Sequence, residues 1–178
     1  PLPPRPPPCA SDVHCPGGCA WPGEGVWLGL GVVSLSAGRN HTCAVRSAGA
    51  RKSGARNWNG ELGDGYTPSS ALPVAVVGLG SGVVAVSAGG GHTCAVTSAG
   101  AVKCWGQNLY GELGNGATKN SSVPIGVVGL GSGVVALSAG DSDPCAVTSA
   151  GAVKCWGYNL YGELGNWTTT IQSAVPVG

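Results

Sequence analysis

The chain has 178 residues, 33 of them Gly, 13 Pro and 8 Cys, with neither Met nor Phe. Its nine basic and eight acidic residues leave a formal charge of +1, so the chain as a whole offers no basic stripe of the kind that displaces counterions from nucleic acid. Gly and Pro at this density signal disorder unless they recur with a fixed period. They do recur: Ser36-Ala37-Gly38 returns at Ser87-Ala88-Gly89 and at Ser138-Ala139-Gly140, and Cys43, Cys94 and Cys145 keep the same spacing of 51 residues. A period of that length is the signature of a repeat architecture.

Residues 1–25 have Pro-rich and Cys/Gly-rich stretches without strand periodicity, and are expected to form an irregular or disordered leader. With no Met and no basic-then-apolar signal at its start, the chain reads as a mature product or a fragment. Three repeats follow, over 26–76, 77–127 and 128–178. The last two agree at 33 of 39 positions between 77–115 and 128–166, and the third carries one extra residue before Val175-Pro176. In the second repeat, Val83-Val84-Ala85-Val86-Ser87 is a β-branched run ended by Gly89-Gly90-Gly91. The next two predicted strands, His92 to Thr97 and Ala101 to Trp105, are joined by the tight turn Ser98-Ala99-Gly100. A Gly/Asn-rich connection from Gly106 to Ser121 leads to a fourth strand over Ser122 to Val128, where Pro124 indicates an edge or a strand start. The apolar stretches Val74 to Gly89 and Ile125 to Gly140 are cut by glycines, so each is two strands and a turn, not a membrane helix of about 20 residues. The expected fold is all-β. Four short antiparallel strands per repeat describe a propeller blade, and three repeats a partial propeller; a β-solenoid is the alternative.

The repeats also share a fixed series of motifs. Thr93-Cys94-Ala95-Val96, the stretch Gly100 to Asn108, and Tyr110-Gly111-Glu112-Leu113-Gly114 return as Cys145-Ala146-Val147, Gly151 to Asn159, and Tyr161-Gly162-Glu163-Leu164-Gly165. This resembles the regulator-of-chromosome-condensation repeat, marked by Trp-Gly-x-Asn-x-x-Gly-Gln-Leu-Gly, with Glu here where Gln is common. The resemblance covers about 26–178. It implies a propeller in which Trp105, Gly106, Asn108, Gly111, Leu113 and Gly114 are structural residues, with Trp156, Gly157, Asn159, Gly162, Leu164 and Gly165 as their counterparts. The two tryptophans are then core-facing, where the residues alone would also allow a binding surface. Three blades cannot close a ring, so the resemblance further implies missing blades or self-association through exposed blade faces.

The cysteines carry a separate argument. Cys94 and Cys104 are equidistant from Ala99, at the middle of the predicted turn, and Cys145 and Cys155 repeat the arrangement around Ala150. Residues directly opposite in a hairpin share a face, and a non-hydrogen-bonded pair accepts a disulfide. Two bridges are therefore expected, with buried thiols in a reducing cell as the alternative. Disulfides point to an oxidising compartment, extracellular or at the cell surface, and the paired cysteines look more like secreted bacterial members of the family than nuclear ones. Structural zinc needs four converging ligands. His92 precedes Cys94 by two residues, but the third repeat has Asp143 there, and His14, Cys9, Cys15 and Cys19 match no zinc spacing. No metal and no cofactor are expected. The sequons at Asn40, Asn120 and Asn166 arise often by chance in such turns and add little.

The first repeat departs where the others are strictest. Ala101 to Gly106 becomes Ala50-Arg51-Lys52-Ser53-Gly54-Ala55, so Cys43 stands opposite Ser53, and Leu109-Tyr110 becomes Trp58-Asn59. Five of the nine basic residues, Arg39, Arg46, Arg51, Lys52 and Arg56, fall in this repeat. A local anion-binding patch and a decayed or wrongly sequenced blade both account for this, and the joint loss of Val, Cys and Trp favours decay. Catalytic constellations are absent from the sequence. Glu61, Glu112 and Glu163 hold one repeated loop position, which suggests hydrogen bonding to loop backbone instead of acid/base work. Strings such as Gly80-Ser81-Gly82 lack a phosphate-loop Lys. Members of the resembled family include nucleotide-exchange factors that dock on nucleosomes, an ultraviolet-B sensor and a secreted β-lactamase inhibitor, and a shared fold does not fix function. The expected function is a non-enzymatic scaffold, secreted or surface-exposed, for an unknown protein partner. The alternatives are a nucleotide-exchange factor for a small GTPase and a structural fragment of a larger extracellular protein.

Overall fold

The computed structural model describes residues 31–47 and 51–178. The leader 1–25, with Cys9, Cys15 and Cys19, lies outside the described residues. Short β-branched runs punctuated by glycine become twelve strands and, among the described residues, no helix. In the first repeat these are β1 (Val32–Ala37), β2 (His41–Arg46), β3 (Arg51–Ala55) and β4 (Ser70–Ala75). The second holds β5 (Val83–Ala88), β6 (His92–Thr97), β7 (Val102–Gly106) and β8 (Ser121–Gly126). The third holds β9 (Val134–Ala139), β10 (Pro144–Thr148), β11 (Val153–Tyr158) and β12 (Gln172–Val177).

Each set of four pairs in sequence order into its own antiparallel sheet. Pro124 sits on β8, an edge strand, where its missing N–H interrupts no ladder. The turn Ser98-Ala99-Gly100 places Cys94 opposite Cys104 and Val96 opposite Val102. The extra residue of the third repeat is taken up in the long loop before β12: Gly106 pairs with Ser121, whereas Gly157 pairs with Ser173.

The sheets stand side by side as three blades. The first strands of the sheets adjoin one another, β1 against β5 and β5 against β9, and β5 and β9 also lie against β2 and β6 of the preceding blade. A serine ladder ties these inner strands together, for the Ala88 amide donates to Ser36 Oγ at 3.0 Å and the Ala139 amide to Ser87 Oγ at 2.9 Å. The cores lie between blades, not within them. Cys43, Val45 and Val76 of the first blade pack with Leu79, Val86, Ala88, Ala95 and Trp105 of the second. Cys94, Val96, Val102, Cys104 and Leu113 of the second pack with Ala146 and Trp156 of the third. A blade buries its apolar surface only against another blade, which is why repeats of this kind stack. The arrangement is a propeller arc and not a solenoid.

Candidate interaction face

In every sheet the strands alternate in direction, so the turns after β1, β5 and β9 and the long loops after β3, β7 and β11 collect at one end, the upper face. One buried asparagine organises each long loop. Asn108 accepts the Leu113 amide on Oδ1 at 2.9 Å and donates from Nδ2 to the carbonyls of Ala117 and Lys119 at 2.9 and 3.0 Å. Asn57 does the same with Leu62, Tyr66 and Pro68, and Asn159 with Leu164 and Thr168. All three are wholly buried, as a fully satisfied amide can be. A glutamate completes each loop: Glu61 accepts the Asn59 amide, Glu112 the Tyr110 amide and Glu163 the Tyr161 amide, at 2.8–2.9 Å. The repeated carboxylates are thus loop braces. Burial raises the Glu112 carboxyl above its ordinary range, against the pull of the amides and of Gln107.

The motif tryptophans link one blade to the next. Trp105 Nε1 donates to the Glu61 carbonyl and Trp156 Nε1 to the Glu112 carbonyl, both at 2.8 Å. Both rings are completely buried. Gly63 and Gly114 form the floor beneath them, since a Cβ there would stand 2.7 and 3.0 Å from the respective indole nitrogens. Gly60 and Gly111 lie equally close to the next blade's outer strand, at the Cα atoms of Ser122 and Ala174. Between the first two blades a second link runs through Thr93, whose hydroxyl donates to the Glu61 carbonyl at 3.0 Å and lies 2.8 Å from His41 Nε2. With its proton committed, Thr93 Oγ1 must accept from that nitrogen. The next junction has Pro144 where Thr93 stood, and the buried His92 Nε2 finds no partner there. Burial, aided by His41, holds the His92 imidazole down at about 3.

The exposed part of the upper face has two features. At the inner-strand ends, Gly38, Gly89 and Gly140 surround a shallow depression bridged by Arg39 and Asp141 at 2.9 Å. Farther out, Trp58, Leu109 and Leu160 occupy one repeat position and expose 71%, 60% and 43% of their surface. The Arg56 guanidinium lies 4.5 Å over the Trp58 ring and also meets Asn40, and Tyr110, Tyr158 and Tyr161 form an edge-to-face cluster beside Leu160. Sequence reasoning passed over both features. The signals were an apolar residue kept in an otherwise polar loop, and opposite charges at the variable position 39/90/141.

The remaining sequence candidates are placed as follows. Cys94 is bonded to Cys104 and Cys145 to Cys155, each across the centre of its hairpin. Cys43 is opposite Ser53, with Thr93 Oγ1 3.7 Å from its sulfur. Leu113 and Leu164 are buried, and Gly106, Gly111, Gly114, Gly157, Gly162 and Gly165 all have positive φ. Among the described residues, no cluster of three metal-ligating side chains forms, and no helix is long and apolar enough to cross a membrane.

Four-stranded blades in sequence order, joined through inner strands and buried tryptophans, define a β-propeller repeat protein. The chain belongs to the regulator of chromosome condensation (RCC1) repeat family, whose models match residues 54–96 and 99–147, and residues 83–112 in a second form. It is 34% identical to the ultraviolet-B receptor UVR8 of Arabidopsis thaliana over 140 residues, covering 78% of this chain and 32% of that protein. Among solved structures it resembles human WBSCR16, with TM-score 0.71 and 25% identity over 82% of this chain and 37% of the other. It also resembles Prp20p of Saccharomyces cerevisiae, a protein described for its binding to Gsp1p and histones, with TM-score 0.74 and 18% identity over 82% of this chain and 37% of the other. The chain spans about a third of the length of these relatives.

Proposed function

We propose that the chain is a non-enzymatic scaffold for protein–protein interaction, acting in the extracellular space or at the cell surface, with its partner held on the upper face. The observation that carries this is the row Trp58, Leu109 and Leu160, one exposed apolar side chain per blade on loops that Asn57, Asn108 and Asn159 hold rigid. Large side chains on braced loops bind with little loss of conformational freedom, which is what interaction surfaces need. The two disulfides support the oxidising location. A photo-crosslinking residue at Leu109, compared with one at Ala99 in the turn at the opposite end of the blade, tests the reading. It expects a discrete protein adduct from position 109 that disappears on Trp58→Ser with Leu160→Ser. Equal, diffuse labelling from both ends would sink it. The alternative carried by the family, nucleotide exchange on a small GTPase, is decided on the same preparations by release of a labelled guanine nucleotide.

A further inference from the structure

The outer strands of the three blades share one more repeated sequence: Ser70-Ala71-Leu72-Pro73, Ser121-Ser122-Val123-Pro124 and Ser173-Ala174-Val175-Pro176. β4, β8 and β12 are edge strands, each paired on one side only. Their side chains are small or apolar apart from serine and Gln172, and none of the three strands contains a charged residue. An uncharged apolar edge is a template for strand addition by another chain, and lysine is the commonest protection against it. These edges need a different protection, and the repeated sequence supplies one.

The four residues build the same corner in each blade. Gly106 pairs with Ser121 and Cys104 with Ile125, so Ser122, Val123 and Pro124 together stand opposite Trp105 alone. The first blade sets residues 71–73 opposite Gly54, and the third sets residues 174–176 opposite Trp156. A bulge of this kind bends the strand out of its ladder. The serine then closes the bulge on itself. Ser121 Oγ donates to the Val123 carbonyl at 2.7 Å and accepts the Val123 amide at 3.3 Å. Ser70 does the same with Leu72 at the same distances, and Ser173 Oγ donates to the Val175 carbonyl at 2.7 Å. The preceding blade takes the carbonyl in between, for the Gly65 amide donates to Ser122 and the Gly116 amide to Ala174, both at 2.9 Å. Proline follows and brings no N–H. A strand arriving at such an edge needs a regular row of donors and acceptors. Over Ser122, Val123 and Pro124 it meets a carbonyl already bonded, a residue with both groups held by its own serine, and a missing donor. The incoming groups left unpaired there carry the full cost of their desolvation.

We propose that the Ser-x-x-Pro corner is an edge guard that closes the rim of every blade to strand addition, whether by a second copy of this chain or by an extended partner segment. The guard is independent of the upper-face row and stands even if that row binds nothing. The test makes Ser121→Ala and Pro124→Val together in the full chain. The exchange restores an N–H and releases the Val123 groups without altering a residue of the core between the second and third blades. The variant should still melt cooperatively, and should form thioflavin-T-positive assemblies at least about tenfold faster than the wild-type chain. Adding Val123→Lys should return the rate to the wild-type value, because a charge on the edge blocks strand pairing. Association through blade faces is insensitive to that lysine, so the rescue identifies the edge as the route. A second measurement uses the wild-type chain itself. A fluorescein-labelled synthetic peptide of residues 119–128 carrying Pro124→Val is the probe strand. Its anisotropy should stay flat on titration with the wild-type chain, and amide exchange on β4, β8 and β12 should not change. If the variant chain does not melt cooperatively, this measurement alone decides. The proposal is overturned if the double variant assembles no faster than wild type, or if Val123→Lys fails to slow it. Capture of the peptide by the wild-type chain with new protection on an outer strand overturns it as well.

Discussion

At the scale of single residues, the repeats act as controls for one another. Gly106 and Gly157 adopt φ of 102° and 99°, and the first blade holds Ala55 at 101° in the same place. A Cβ at that angle costs about 1–2 kcal/mol, more than the freedom Gly regains in the unfolded chain. Ala55→Gly should therefore stabilise the protein by about 1 kcal/mol in urea unfolding. Asn108 is the opposite case. Asn108→Ala strands a buried amide and two carbonyls, each costing about 1–3 kcal/mol, and should lower stability by at least about 3 kcal/mol on the same assay. His92 gives a pH signature. Its imidazole is held near 3 in the fold and rises to the ordinary 6.5 on unfolding, so the unfolded chain binds the extra proton. Stability from His92 is complete above 6.5, falls with decreasing pH by roughly 1.4 kcal/mol per unit, and levels off below 3. Glu112, raised by burial, has the opposite sign, favouring the fold at low pH and losing that contribution as pH climbs through its raised value. The difference between wild type and His92→Gln isolates the first effect: melting should depend less steeply on pH between 6 and 4 in the variant, and identical slopes would show that the imidazole titrates normally.

At the scale of the element, the hairpin is the unit that decides what can be read from sequence. Its register is legible because a short turn joins strands whose alternate residues must share a face; a slip of one would turn Val96 and Val102 outward. Strand ends are less legible. The fourth strand runs Ser121–Gly126, not Ser122 to Val128; Val127 still donates its amide to the Val102 carbonyl of β7, but its side chain is buried with Leu130 in the core shared by the second and third blades. Burial of the two tryptophans was legible through the family motif, but their junction bonds were not: the Trp105 indole ends on the carbonyl of Glu61, 44 residues away, and no local pattern encodes that reach. The only trace was a paired change, His92-Thr93 to Asp143-Pro144. The bridged hairpins lead to a prediction. Each bridge closes a short loop, limiting the unfolded chain by roughly 2–3 kcal/mol, and non-reducing peptide maps should contain Cys94–Cys104 and Cys145–Cys155. Cys94 and Cys104 are sealed beneath the third blade, whereas Cys145 is only half-buried. Dithiothreitol should therefore open Cys145–Cys155 first; simultaneous reduction would mean that the blades open together before either bridge is reached.

For the whole molecule, stability is a sum over junctions. A blade contributes little alone, and each junction adds the burial of one apolar face on another. The second blade has a junction on both sides. The first and third have one each among the described residues, and the first lacks the valine, cysteine and tryptophan that pack the equivalent strand elsewhere. Opening should therefore proceed inward from both ends, with the second blade released last, because freeing it breaks two cores whereas freeing a terminal blade breaks one. Amide exchange reads this order. Protection should peak on β6 and β7, fall on β10 and β11, and be weakest on β3, with Arg51 to Trp58 exchanging faster than Val102 to Leu109. The first junction keeps one compensation, since Thr93 joins His41 to the Glu61 carbonyl beside the Trp105 bond, while beside the Trp156–Glu112 bond of the second Pro144 offers no such hydroxyl. Thr93→Val, which keeps the shape and removes the hydroxyl, should then selectively loosen the first blade. Exchange across β1 and β2 should accelerate several-fold while β10 and β11 stay unchanged, as expected if a loss of about 1–2 kcal/mol is confined to one junction. Uniform acceleration over all three blades would show instead that the arc opens as one cooperative unit, with the junctions too strongly coupled to be weakened one at a time.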